Sequence, residues 1–309
     1  MAWLDSFPWM GLVAIRVLVN PLSNVCQKEL THRKVDPIQV IQGTHALLMI
    51  PALLSLPLLA PPREWLLFLT SMTWCALLAV SSNVLLVQAL KRADLSLLGP
   101  VNTYKSILGM SLAWLVLGEV PTGWGLMGMG LIFVGSYTLI ERDSQPSSVA
   151  WVTLIQNPGV QLRLAALMLS AAEAVFLKRA MEYADASTTM VAWILLGYVV
   201  AVGISLSMKR WSLPPMRGLD LEASTVPSSK KGLWIALAST TGLMQWSTLL
   251  CFERVQVGYS LALFQLSAVV SVVMGYWFFR ESHFGRRMIG AGLMTAGAIL
   301  IMRMGRPAP

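Results

Sequence analysis

Apolar stretches recur along this chain from end to end, and the charged residues fall in the gaps between them. A bilayer core about 30 Å thick is crossed by about 20 helical residues. In lipid the backbone must satisfy its own hydrogen bonds, so stretches of that length must be helices. The pattern predicts spans near 9–27, 38–60, 65–89, 96–117, 121–140, 163–181, 187–208, 232–252, 257–279 and 284–302. A transmembrane barrel would show shorter segments alternating apolar with polar residues, and the sequence has no such run. Two connections are longer than the others: 141–162, containing Pro146, Ser147, Ser148 and Pro158, and 209–231, containing Pro214, Pro215 and Pro227. The first of them predicts a five-span half at 1–142, a linker at 143–162 and a second five-span half at 163–309.

Composition points the same way. Of the 309 residues 56% are hydrophobic and 12% charged, against roughly 25% charged in an ordinary soluble domain. The net charge of +8 does not predict a nucleic-acid partner, because Lys and Arg sit mostly in short loops between spans. Trp3, Trp9, Trp65, Trp124, Trp151, Trp211 and Trp234 fall near predicted span ends, as an aromatic belt would. Cys26, Cys75 and Cys251 lie in apolar settings and are odd in number, which argues against a disulfide framework. No basic leader precedes the first apolar segment, and Arg16, Asn20 and Pro21 interrupt it, so it does not read as a cleaved signal peptide.

The chain also repeats itself. Shifted by 162 residues (281 minus 119), the stretch 91–140 falls on 253–302 without a gap. Arg92 meets Arg254, and Glu119 meets Glu281. Gly123, Gly128, Gly130 and Gly135 meet Gly285, Gly290, Gly292 and Gly297. Glycines in register, with a glutamate at the same helix boundary, mark a duplication. Because each half holds an odd number of spans, the second must enter the membrane inverted. Inverted repeats give two near-equivalent packings, open to one side or the other, and are characteristic of transporters.

These residues resemble a known family. Leu117-Gly118-Glu119 follows a span that opens with Leu98-Gly99-Pro100, and leads into the helix carrying Gly125, Gly128, Gly130 and Gly135. Arg280-Glu281 with Gly290, Gly292 and Gly297 repeats the pattern, and Asn24 and Lys28 add to it. The chain thereby resembles the drug/metabolite transporter superfamily in its ten-helix EamA branch. The resemblance implies an all-α integral membrane fold of two inverted five-helix repeats around a central cavity. It also implies export or exchange of small metabolites, without naming a substrate. It further implies cytoplasmic termini. Lys and Arg instead concentrate in the loops after spans 1, 3, 5, 7 and 9, which favours external termini.

An ionisable group inside a membrane is costly and therefore a candidate for function. Arg16, Lys105 and Glu173 sit well inside predicted spans, and Lys105 and Glu173 fall near the midplane. Arg16, Asn20, Asn24 and Gln27 share one stripe of the first helix. That stripe reads either as a cavity wall for a polar substrate or as a polar seam between helices. Lys105 shares a face with Asn102 and Ser106, and its counterpart under the repeat is Ser267, flanked by Gln265. Arg16 and Lys105 would suit a carboxylate or phosphate; alternatively either neutralises Glu173. Glu173, balanced between desolvation and these cations, would serve proton coupling, or be held in a permanent ion pair. Thr241, Gln245 and Thr248 share a face of the eighth span. Gln42 and His45 in the second span read as helix–helix hydrogen bonders before proton shuttles. The glycines would let helices approach, joining either the two halves or two protomers of a homodimer. Glu119 and Glu281 read as helix N-terminal or gating contacts.

The expected substrate-binding set is Arg16, Asn20, Asn24, Asn102, Lys105, Glu173, Gln245 and Gln265, in a secondary transporter of the cell membrane. Its cargo would be a small anionic or zwitterionic metabolite such as an amino acid. An exporter of cationic drugs or polyamines, with Glu173 as counter-ion, is the alternative. A channel or scaffold would want rings of identical groups. An enzyme would want paired carboxylates, a nucleophile–base pair or metal ligands; the spans show none, and no cofactor or metal is expected.

Overall fold

A computed structural model describes residues 2–33, 35–92, 104–138, 158–210, 231–267, 269–270 and 284–304. Among the described residues there are ten α-helices and no strand. The first half holds α1 (Ala2–His32), α2 (Pro37–Ser55), α3 (Trp65–Arg92), α4 (Tyr104–Leu117) and α5 (Gly123–Thr138). The second holds α6 (Pro158–Ala180), α7 (Ala186–Arg210), α8 (Lys231–Arg254), α9 (Val257–Phe264) and α10 (Phe284–Met304). The expected spans 96–117 and 257–279 run partly through residues outside this description.

Local chemistry sets several helix ends. Asp36 accepts from the Ile38 amide at 3.1 Å while Pro37 takes the first helical position. There its missing N–H costs nothing and its fixed φ suits the helix. Pro158 opens α6 in the same way, five residues before the expected span (163 minus 158). At the end of α4, Gly118 adopts φ +69° and its amide donates to the Trp114 carbonyl at 3.2 Å. Glycine takes this left-handed cap without steric cost. The turn aims Glu119 at the second half, where its Oε2 accepts from the Val257 amide at 2.8 Å, the first N–H of α9. Gln256 donates to the Val120 carbonyl and Tyr259 bonds the Thr122 backbone, so this turn is tied to the start of α9 at three points.

Among the described residues, five helices are long and apolar enough to cross a membrane: Pro37–Leu58, Trp65–Leu86, Pro158–Ala180, Ala186–Ser207 and Lys231–Arg254. Shorter apolar helices run at Tyr104–Leu117, Gly123–Ser136 and Ile289–Arg303. Large apolar side chains such as Leu54, Leu66, Trp74, Leu115, Val199 and Ile235 face outward, which suits acyl chains rather than water.

The packing follows an exchange of halves. Helix α1 packs on α8, and α6, the counterpart of α1, packs on α3, the counterpart of α8. Pairs α2–α7, α4–α9 and α5–α10 each join a helix to its own counterpart. The glycine seam shows this at residue level. A Cβ at Gly128 would strike the Gly297 carbonyl, and one at Gly135 the Gly290 carbonyl. Adding 162 to 128 gives 290, and to 135 gives 297, so the repeat turns each crossing into the other. These glycines join the two halves of one chain through backbone contact, the close approach that small residues permit between membrane helices.

Candidate functional site

The α1–α8 interface is polar where α5–α10 is not. Arg16 Nε donates to Thr248 Oγ1 at 2.9 Å, and the Arg16 guanidinium lies 4.7 Å from the centre of the Phe264 ring. Seven residues further along each helix (23 minus 16, 248 minus 241), the Ser23 and Thr241 hydroxyls bond at 3.1 Å. The two helices therefore run antiparallel. Between these clamps Asn20 donates to Ser267 Oγ at 3.2 Å, carrying the network to the chain after α9. Gln245 lies between the same clamps on α8, and only 6% of it is exposed.

Among the described residues, two buried donors in this network have no acceptor: Arg16 Nη1 and Gln245 Nε2. Native proteins pair nearly all buried polar groups, so an orphan calls for an explanation. A buried donor left unmade costs about 1–3 kcal/mol, and more when charged.

Lys105, on α4, and Glu173, on α6, come from helices that pack together, and they lie within each other's fields and that of Arg16. They do not close into an ion pair within 4.0 Å, and no described group donates a hydrogen bond to the Glu173 carboxylate. Gln265 caps the C-terminus of α9 and has its own partner. The side chain of Asn24, and Asn102 and Glu281 altogether, lie outside the described residues.

Other candidates resolve as structure. His45 Nδ1 bonds the Ile194 carbonyl at 3.1 Å with its ring 4.6 Å from that of Trp193, and Gln42 donates to the Ala201 carbonyl at 3.1 Å. Both tie α2 to α7. Lys178 donates to the Phe252 carbonyl in the last turn of α8, where free carbonyls favour a cation. Glu119, in the turn outside the spans, has its carboxyl raised above the ordinary value by burial, against the downward pull of the Val257 amide and Lys178. Sequence reasoning did not single out Ser23 or Phe264. Ser23 was findable, at two turns from Arg16 on the same stripe; Phe264 carried no polar signal.

Ten helices in two interchangeable halves, meeting at a buried polar centre, define a transporter-type membrane fold. The profile of the EamA-like transporter family matches residues 9–140 and 157–303. The chain belongs to that family, and with it to the drug/metabolite transporter superfamily. Among solved structures, one titled "Crystal structure of protein" is similar to this chain with a TM-score of 0.68 at 14% identity. The similarity covers 97% of this chain and 98% of that one, and identity at that level speaks for the fold. A search of curated protein sequences finds no match.

Proposed function

We propose that this protein is a secondary transporter of the cell membrane that exports or exchanges a small polar metabolite. The cargo is anionic or zwitterionic, such as an amino acid, and moves by alternate rocking of the two halves. The observation that carries this reading is the pair of buried donors left unpaired among the described residues where the halves meet, Arg16 Nη1 and Gln245 Nε2. Such groups are costly inside a membrane protein and suit a site whose partners arrive with the substrate. Purified protein in liposomes is expected to show saturable counterflow of one class from a panel of amino acids, organic acids, sugar phosphates and organic cations. Flux that never saturates would make it a channel, and chemical conversion of the cargo an enzyme.

Glu173 also fits proton coupling. A carboxyl between desolvation and nearby cations changes its protonation when a substrate changes that balance. Glu173→Gln is expected to abolish the response of transport to an imposed pH gradient; an unchanged response sinks the coupling. The same undonated carboxylate favours a second reading, in which Glu173 is counter-ion to a cationic drug or polyamine. Saturable flux confined to organic cations, and lost in Glu173→Gln, would establish it.

A further inference from the structure

We infer that the anionic pole of the substrate is a carboxylate, clamped between Arg16 Nη1 of the first half and Gln245 Nε2 of the second. This rests on the transport reading above and names the chemistry of its site. Arg16 is held at one nitrogen by Thr248, and its guanidinium lies against the Phe264 ring. Thr248 in turn donates to the Met244 carbonyl at 2.7 Å, which leaves its oxygen free to accept from Arg16. The guanidinium is thus set before any ligand arrives, with Nη1 still open. Gln245 stands three residues from Thr248 on the same helix face, about 4.5 Å along the axis at 1.5 Å per residue. Its open donor therefore comes from the level beside Arg16.

Two unpaired N–H donors, one on each helix of a single interface and within about one turn of each other along it, ask for a ligand with acceptor oxygens, and a planar carboxylate supplies two. Charge narrows the choice. Arg16 and Lys105, with Arg163 acting on Lys105 as well, outweigh Glu173 and leave positive charge in excess. A carboxylate offsets it with one planar pair of oxygens. Gln245 adds a donor without adding charge, which fits a monoanion better than a second cation would. Because one donor comes from each half, such a ligand bridges the two repeats.

The test uses full-length purified protein and ligand-induced shifts in its unfolding midpoint. Each carboxylic acid in the panel, amino acids included, is paired with its own primary amide, which keeps shape and loses the charge; inorganic phosphate is run alongside. The acid is expected to shift the midpoint and its amide not to. Gln245→Leu and Arg16→Lys are each expected to weaken acid binding by about tenfold or more, the first by removing a donor and the second by removing the fork. Unliganded midpoints of both variants report whether they fold. Equal shifts from acid and amide would overturn the inference, as would a stronger shift from phosphate, or acid binding unchanged in both folded variants. Saturable flux of compounds lacking a carboxylate would defeat this clamp alone. Absence of any saturable flux in liposomes would defeat the transport reading instead.

Discussion

The α5–α10 seam and the α1–α8 interface both join the two halves, yet they are built on opposite terms. Across the seam the repeat is kept: Gly128 faces Gly297, Gly135 faces Gly290, and each contact maps onto the other. In the polar centre the repeat is broken. Lys105 corresponds to Ser267 under the same shift of 162 that aligns the glycines. On the transport reading proposed above, rocking between two packings needs a joint that looks alike from both sides, and matching glycines would supply it. Recognition needs particular groups in particular places, and a ligand has no reason to be two-fold symmetric. The seam is closed backbone to backbone, while the centre keeps Arg16 Nη1 and Gln245 Nε2 unpaired. The first arrangement serves stability; the second forgoes some of it, as the proposed ligand site would require.

That contrast can be broken most sharply at the seam. Gly297→Val drives a branched side chain into the Gly128 carbonyl and the side chains of Leu131 and Ile132, so thermal or denaturant unfolding should show a loss of about 3 kcal/mol. Gly130 belongs to the same glycine series but has nothing within 4 Å of its Cβ position. Gly130→Ala should stay within about 0.5 kcal/mol of the wild type. Equal losses at both positions would show that glycine is needed there for something other than close approach.

Substitutions in the centre should do the reverse. Replacing an unpaired buried donor by an apolar group of similar shape is neutral or stabilising. Gln245→Leu should therefore hold or raise the unfolding free energy by about 1 kcal/mol, while saturable flux in liposomes falls away. A clear loss of stability would make this side chain a helix-joining contact, and the centre would then resemble the seam.

A smaller effect is expected at Glu119, where the halves meet outside the spans. Its folded pKa is raised above the ordinary 4.5, with burial the main cause. A group raised in the fold contributes stability that is complete below its unfolded value and is lost as pH rises through the folded one. Stability should therefore decline above about pH 4.5 on Glu119's account, and Glu119→Gln should flatten that part of the profile. Unfolding midpoints taken across the acid-to-neutral range would show it, and an unaltered profile in the variant would place the titration elsewhere.

Much of this was legible in the sequence, for definite reasons. Span length is set by bilayer thickness, so hydropathy alone predicted the helices. A duplication leaves its glycines in register, so the repeat could be read without coordinates. Arg16, Asn20, Thr241, Gln245 and Thr248 were recognisable because helical spacing puts them on single faces. Which faces meet is another matter, since spacing along one helix says nothing about its neighbour. Only the tertiary structure set Arg16 against Thr248 and Phe264, made the glycines a joint within one chain, and aimed Glu119 at the Val257 amide. It alone could show which donors stay unpaired, because a missing partner is a property of everything packed around an atom. Local pattern and the bilayer determined the helices and their repetition; long-range packing decided which faces meet and which donors stay unpaired.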